Sequence, residues 1–243
     1  MTATSAQGLL AEAEEALVEA GFRTGDFKKA AALLEAALER ATEGEDESTV
    51  AGAYDALGLL MHYENIAALM GGGEVDPSEV DLEAELFGTA LSMQERLGDV
   101  AGRAQSLFGL GLVAQVLRHD WATAMPYFWE ALEIVDADNS GCDLYRRSEV
   151  HRHVGFYFLL EDAQPERAVE HLQISLDLRE ELGDLRRIPS GLVALGRAEM
   201  AAGRPERAVE LLRDAVAKSH SAGLTPARIA DAESVLKEAE AAL

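Results

Sequence analysis

Apolar residues along this chain recur three and four apart, in segments separated by short polar or Gly/Pro stretches, which is the pattern of amphipathic helices throughout. The stretch Pro165-Glu166-Arg167-Ala168-Val169-Glu170 returns forty residues later as Pro205-Glu206-Arg207-Ala208-Val209-Glu210. Repetition at that period predicts stacked helix pairs. Asp26-Phe27-Lys28-Lys29-Ala30 and Asp120-Trp121-Ala122-Thr123-Ala124 fall on the same frame and open second helices. Upstream of these, Leu57-Gly58, Leu110-Gly111, Val154-Gly155 and Leu195-Gly196 mark first helices. A glycine inside a helix costs about 1 kcal/mol against alanine, so it persists where a neighbouring helix needs the space. Ala30 with Ala37, Ala124 with Ala131, and Ala208 with Ala215 form contact strips of the same kind, and Leu33, Leu34, Leu86, Phe87, Tyr127, Phe128, Leu211 and Leu212 fill the space between.

The expected fold is all-α, a right-handed α-solenoid of about five antiparallel helix pairs plus a C-terminal capping helix, forming one domain over residues 1–243. The pairs fall at approximately 9–41, 49–96, 101–135, 144–182 and 189–222. Thr225-Pro226 supplies an N-cap and a first-turn proline for the capping helix over 225–243, whose one-sided apolar face suits the open end of a stack.

Leu192, Leu195-Gly196, Gly203, Ala208, Leu212 and Ala215 together resemble the tetratricopeptide repeat, with Leu192 and Leu212 where that family usually has aromatic residues. Leu97-Gly98-Asp99-Val100-Ala101-Gly102-Arg103-Ala104, running into Leu107 and Leu110-Gly111, resembles the longer-period variety common in signalling scaffolds and in sensor regions of bacterial regulators. The resemblance covers nearly the whole chain and implies a protein-binding scaffold. Its shared residues are the ones that pack, so it specifies fold more closely than function.

Departures from the repeat carry the functional information. Gly58 to Gly111 spans 53 residues, against 44 and 41 for the next two glycine intervals, so the second pair holds an insertion of about ten residues around Met70-Gly71-Gly72-Gly73-Glu74-Val75. Ile66, Leu69, Met70, Val75 and Val80 are expected on a projecting hairpin, which is either a tolerated surface loop or a flap over a binding groove. Asp76-Pro77-Ser78-Glu79 reads as the capping box that restarts the helix. Pro126 removes a backbone donor inside a helix begun at Asp120 and should bend or delay it.

Composition narrows the classes. The formal charge of −23 on 243 residues, with no Lys/Arg cluster, argues against nucleic acid. The single Cys142 forms no internal disulfide and fits a reducing cytoplasm. The N-terminus has no leader pattern, no run approaches the roughly 18 apolar residues of a membrane span, and a soluble, untargeted protein is expected. Gly71-Gly72-Gly73 lacks the residues that complete a phosphate loop, and no hydrolase or zinc-protease motif occurs. His151 and His153 point to different sides of a helix and cannot share an ion, while Glu149 and His153, four apart, read as a helix-surface ion pair. No catalytic residue, metal site or cofactor is expected.

Binding is expected on the first helices, where positions set by the glycines look into a concave groove. These are Asp55, Leu59, His62 and Tyr63, then Phe108, Leu112, Gln115 and Val116, then Arg152, Phe156, Leu159 and Leu160, then Val193, Arg197, Met200 and Ala201, with Gln105, Glu149 and Ser190 one turn earlier. Apolar residues such as Phe108, Phe156 and Leu159 on a solvent-facing stripe indicate a surface that is covered or occupied. The leading reading is a non-enzymatic module that binds a peptide or partner domain. Its rival is a small-molecule sensor or atypical enzyme with Asp55, His62 and Tyr63 in a pocket under the 66–80 hairpin. A third is self-association through that hairpin. Residues 1–100 hold 21 acidic and 5 basic residues, so the charge excess is mainly N-terminal and any acidic group of a ligand is expected nearest Arg152 and Arg197.

Overall fold

The computed structural model describes residues 4–243, and these form eleven α-helices and no strand. Pair one is α1 (Ala6–Glu19) and α2 (Lys28–Glu43), and pair two is α3 (Glu47–Met70) and α4 (Pro77–Leu97). Next come α5 (Val100–Leu112), α6 (Trp121–Val135), α7 (Leu144–Leu160), α8 (Pro165–Leu182), α9 (Ile188–Ala201), α10 (Pro205–Ser221) and α11 (Pro226–Ala241). The chain divides into two compact units, Met1–Ile134 and Val135–Leu243. Within the first, α1 packs on α3 and α3 on α5 besides the neighbours in sequence; within the second, α7 packs on α9 and α9 on α11. Contact between the first helix of one pair and the first helix of the next is the signature of stacked pairs, and the fold is an all-α, solenoid-like helical repeat.

The glycines act as the repeat predicts. A methyl group added at Gly58 would sit within 3 Å of the Phe87 ring, at Gly111 within 3 Å of Phe128, at Gly155 within 3 Å of Leu172 and at Gly196 within 3 Å of Leu212. In each pair the first helix therefore leaves a hole that one large second-helix side chain fills. Phe87 is gripped twice, because Gly109 on α5 faces it as Gly58 on α3 does, and it has no solvent exposure. Ala30, Ala37, Ala124, Ala131, Ala208 and Ala215 are all completely buried, as contact strips require. Two members of this alanine series are replaced: Glu83 precedes Phe87 by the same four residues that separate Ala124 from Phe128, and Ser175 stands seven after Ala168. Both replacements are buried.

Aspartates set the helix starts. Asp46, Asp76, Asp99, Asp120 and Asp143 accept from the backbone N–H groups of Thr49, Ser78, Gly102, Thr123 and Arg146. Hydrogen bonds from Thr49, Ser78 and Thr123 hold the carboxyls of Asp46, Asp76 and Asp120 below the usual range. Thr225, expected as a side-chain cap, makes no such bond, and α11 starts on Pro226 alone. Pro126 does not delay α6, which runs from Trp121. Two features have no counterpart in the sequence reading: α1 and α5 end in π-helical turns at Ala20–Thr24 and Val113–Leu117.

The inserted hairpin is only partly a projection. Val75 and Val80 pack with Phe87, Val113, Leu59 and Leu117, whereas Leu69 and Met70 are exposed. Contrary to the expectation that no run is apolar enough, Val100–Leu117 is long and apolar enough to cross a membrane by length and composition, with a mean hydropathy of 1.2. Half of it is buried within the fold, Phe108, Leu112 and Val113 included.

Gly109→Ala should destabilise the protein by about 2 kcal/mol through overpacking against Phe87, and adding Phe87→Leu should recover part of that loss. Gly88→Ala, on the same α4 with nothing within 4 Å of the new methyl, should instead stabilise by up to about 1 kcal/mol. Urea denaturation compares the three. Among the described residues Ser175 Oγ, which is buried, has no hydrogen-bond partner, so Ser175→Ala should raise stability by about 1 kcal/mol in the same measurement.

Candidate functional site

In the first unit the groove positions turn largely inward. Asp55 is buried and accepts from Gln94 Nε2 on α4, while Ser106 Oγ on α5 lies 2.6 Å from both Asp55 Oδ1 and Gln94 Oε1. His62 is buried against Glu83, with Nδ1 2.8 Å from Oε1, and Asn65 Nδ2 donates to the other carboxylate oxygen at 2.9 Å. Glu83 itself has no exposure. Tyr63 stacks on Phe27 at 6.3 Å between ring centroids and joins the core of pair one. Asp55, His62 and Tyr63 thus do not converge on one pocket; each is bound into a separate internal contact. Phe108 and Leu112 are buried too, whereas Leu59, Gln105, Gln115 and Val116 are half-buried. Glu83 was missed as a partner, although its occupation of an alanine position in the repeat was a readable signal.

A depression of about 280 Å³ lies at the α4–α5 turn, lined by Gln94, Glu95, Gly98, Asp99, Val100 and Arg103. It sits at the end of α4 away from the 71–76 hairpin tip, so the hairpin does not lie over it.

The second unit carries the exposed part of the site. Along α7, Glu149, Arg152, Phe156 and Leu159 recur on one stripe and are half-buried, and Leu160 beside them is 66% exposed. His153, nominated by the spacing, attracts Glu149 electrostatically but is not its main partner. Its partner is Arg179 of α8, which is 2% exposed and whose Nη1 also donates to the Arg187 carbonyl (2.9 Å) and to Ser190 Oγ (2.7 Å). Burial works to raise the Glu149 pKa, but the guanidinium of Arg179, helped by Arg152, prevails and brings it down to about 2. Arg152 is the less satisfied cation: burial, with the charge of Arg179, lowers it to about 10. Asp184 holds Arg186 and Arg187, and the Arg187 guanidinium lies 3.6 Å over the Tyr145 ring. On α9, Val193 is buried, Met200 is half-buried, and exposed Arg197 pairs with Asp231 at 3.0 Å. Arg197 thus shares its charge with a carboxylate in a solvent-exposed pair, which holds it only weakly.

His151 faces elsewhere. Its Nε2 lies 3.0 Å from Asp136 Oδ1 and its Nδ1 3.1 Å from His171 Nδ1, so with Nε2–H donating to Asp136 the other nitrogen accepts from His171. His171 stacks on Phe158, over whose ring Arg167 also sits. Burial, then the neighbouring His151 and Arg167, push the His171 pKa down to about 4. Cys142 is half-buried, and that burial pushes its thiol pKa up, the opposite of an activated nucleophile. Among the described residues no group of three or more His, Cys, Asp or Glu converges to hold a metal ion.

No protein-family model matches the chain, and no curated protein matches it in sequence. Its fold resembles the crystal structure of BtubC (BKLC) from P. vanneervenii, with a TM-score of 0.57 and 21% identity over 90% of this chain and 92% of that one. The likeness is one of fold. At that identity it says nothing of ligand or partner.

The histidine pair gives an acid-sensitive element. His171 stays neutral in the fold down to about pH 4, whereas the unfolded chain takes up this proton near pH 6.5. Stability from this source is complete above pH 6.5 and falls between 6.5 and 4, because there the unfolded state binds more protons. The Glu149–Arg179 pair fails lower, between its unfolded value of 4.5 and about 2. Melting curves from pH 7.5 to 4.5 should show a falling midpoint, and His171→Phe, which keeps the stack on Phe158, should flatten the decline. An unchanged slope would exclude the pair as its source.

Proposed function

We propose that this protein is a non-catalytic interaction module of the tetratricopeptide-repeat type, working in the cytoplasm and holding a peptide or a partner domain against its first helices. The observation that carries this reading is the α7 stripe: Phe156, Leu159 and Leu160 bring apolar surface toward solvent beside Arg152, on a helix whose other side is packed away with Val150, Val154 and Phe158. Apolar groups clustered with one cation on a rigid helix suit recognition of a protein segment. The polar groups that could have served chemistry, His62, Glu83 and Asp55, are instead committed to internal hydrogen bonds. This disfavours an enzyme or a sensor pocket built on them.

Phe156→Ala and Leu160→Ala test the reading in the full chain. Each removes a candidate anchor, and losing one such anchor should cost about 2 kcal/mol, roughly thirtyfold in affinity. Quantitative pull-down from the native source should lose the same specific protein with both variants, while the melting temperature and helical circular dichroism of Leu160→Ala stay at wild-type values. Undiminished recovery with both would overturn the assignment of the surface.

A further inference from the structure

The turn from α4 to α5 and the turn from α8 to α9 are built on one plan. Leu97-Gly98-Asp99 and Leu182-Gly183-Asp184 hold the same place in the repeat, with Gly111 twelve residues after Asp99 and Gly196 twelve residues after Asp184. Gly98 and Gly183 both close their helices in the left-handed region, at φ 69° and 73°. Four residues before them, Gln94 and Arg179 are buried and reach the first helices on either side, Gln94 through Asp55 and Ser106 and Arg179 through Glu149 and Ser190.

The two aspartates differ in what covers them. Arg186 forks across Asp184, with Nε 2.8 Å from Oδ1 and Nη2 3.0 Å from Oδ2, and Arg187 Nε lies 3.2 Å from Oδ2. In the first unit the same positions are Ala101 and Gly102. A methyl group added at Gly102 would come within 3 Å of Asp99 Oδ2 and of Gln94 Cδ, so this residue is small where its counterpart is an arginine. Asp99 Oδ1 accepts from the Gly102 N–H at 2.9 Å, and among the described residues no cation lies within ion-pair distance of this carboxylate. The depression of about 280 Å³ opens beside it, below the roughly 300 Å³ at which pockets begin to enclose whole ligands. Its size suits one side chain. Arg103 on its wall is turned to Glu130 of α6, while Glu95 adds a second exposed carboxylate. Val100 on the wall and Leu97 next to Gly98 are exposed apolar residues.

We propose that this depression receives the guanidinium of an arginine carried by a partner protein, which forks onto Asp99 as Arg186 does onto Asp184, while apolar residues flanking that arginine lie on Val100 and Leu97. One turn carries its own arginine, and the other takes one from outside. A guanidinium offers a carboxylate two parallel N–H groups, which an ammonium cannot match. The site lies wholly in the first unit and does not depend on the α7 stripe.

The test uses the full chain at physiological salt and three fluorescein-labelled, amidated nonapeptides of leucine and alanine whose central residue is Arg, Lys or citrulline. Fluorescence anisotropy should show wild type binding the Arg peptide about tenfold tighter than the citrulline peptide, with the Lys peptide between them. Asp99→Asn keeps the helix cap, because Asn caps as well as Asp; it should hold the melting temperature and bring the Arg peptide to the citrulline level. Ala101→Arg, which restores the residue found at the Arg186 position, should fill the site from within and do the same. Glu74→Gln, which removes one charge at the hairpin tip, and Phe156→Ala should both leave the preference intact. Equal or absent binding of the Arg and citrulline peptides by wild type, a Lys peptide as tight as the Arg peptide, a preference that survives in Asp99→Asn, or one lost equally in Glu74→Gln would each overturn the inference. A preference lost in Phe156→Ala but kept in Asp99→Asn would overturn this site and leave the α7 surface standing.

Discussion

The structure depends on one contact repeated down the chain: a glycine of the first helix receiving a large side chain of the second. The distance between packed helix axes is set by the side chains at their crossing, and a glycine facing Phe87, Phe128, Leu172 or Leu212 fixes that distance in each of four successive pairs. The alanine strips on either side of the large residue extend the close approach by a turn in both directions. Once these positions are set, the outward stripes of the helices are free to vary without disturbing the stack. This is why departures from the repeat, rather than matches to it, distinguish this protein from others with the same fold.

That separation also explains what could be read in advance. Helix positions and pairing were legible because they rest on interactions that recur with every pair, so one glycine or alanine could be checked against the others. The stripe assignments were not equally legible. Asp55 and His62 occupy offsets from Gly58 that would face outward on an isolated helix pair, but α3 and α4 are longer than their counterparts and α5 packs on α3. Gln94, Ser106 and Glu83 then reach them from neighbouring helices. Glu149 shows the same limit: four-residue spacing nominated His153, whereas the stronger partner, Arg179, is thirty residues away on α8. The π-helical turns closing α1 and α5 leave no mark in apolar periodicity, since one widened turn shifts the pattern by less than the variation between repeats.

Buried polar groups in the two units serve different ends. Glu83, in a place the repeat gives to alanine, brings a carboxylate into the crossing of α3 and α4 and takes both of its partners from α3. A satisfied network of this kind adds specificity of pairing more than stability, because desolvation offsets most of the attraction. It ties the extended hairpin to one register. Ser175 has no such compensation and shows what the same substitution costs when nothing answers it.

The charge of −23 at first argues against an acidic partner. Most of that excess lies in the first hundred residues, however, and at physiological salt the field of surface charges decays over about 8 Å. Repulsion from distant carboxylates slows an encounter, whereas a guanidinium and a carboxylate in contact within a partly desolvated site interact at a far lower effective dielectric. The short-range term therefore governs which segment stays bound, and the long-range term governs how often one arrives. On the reading proposed for α7, affinity comes from the apolar contacts with Phe156, Leu159 and Leu160.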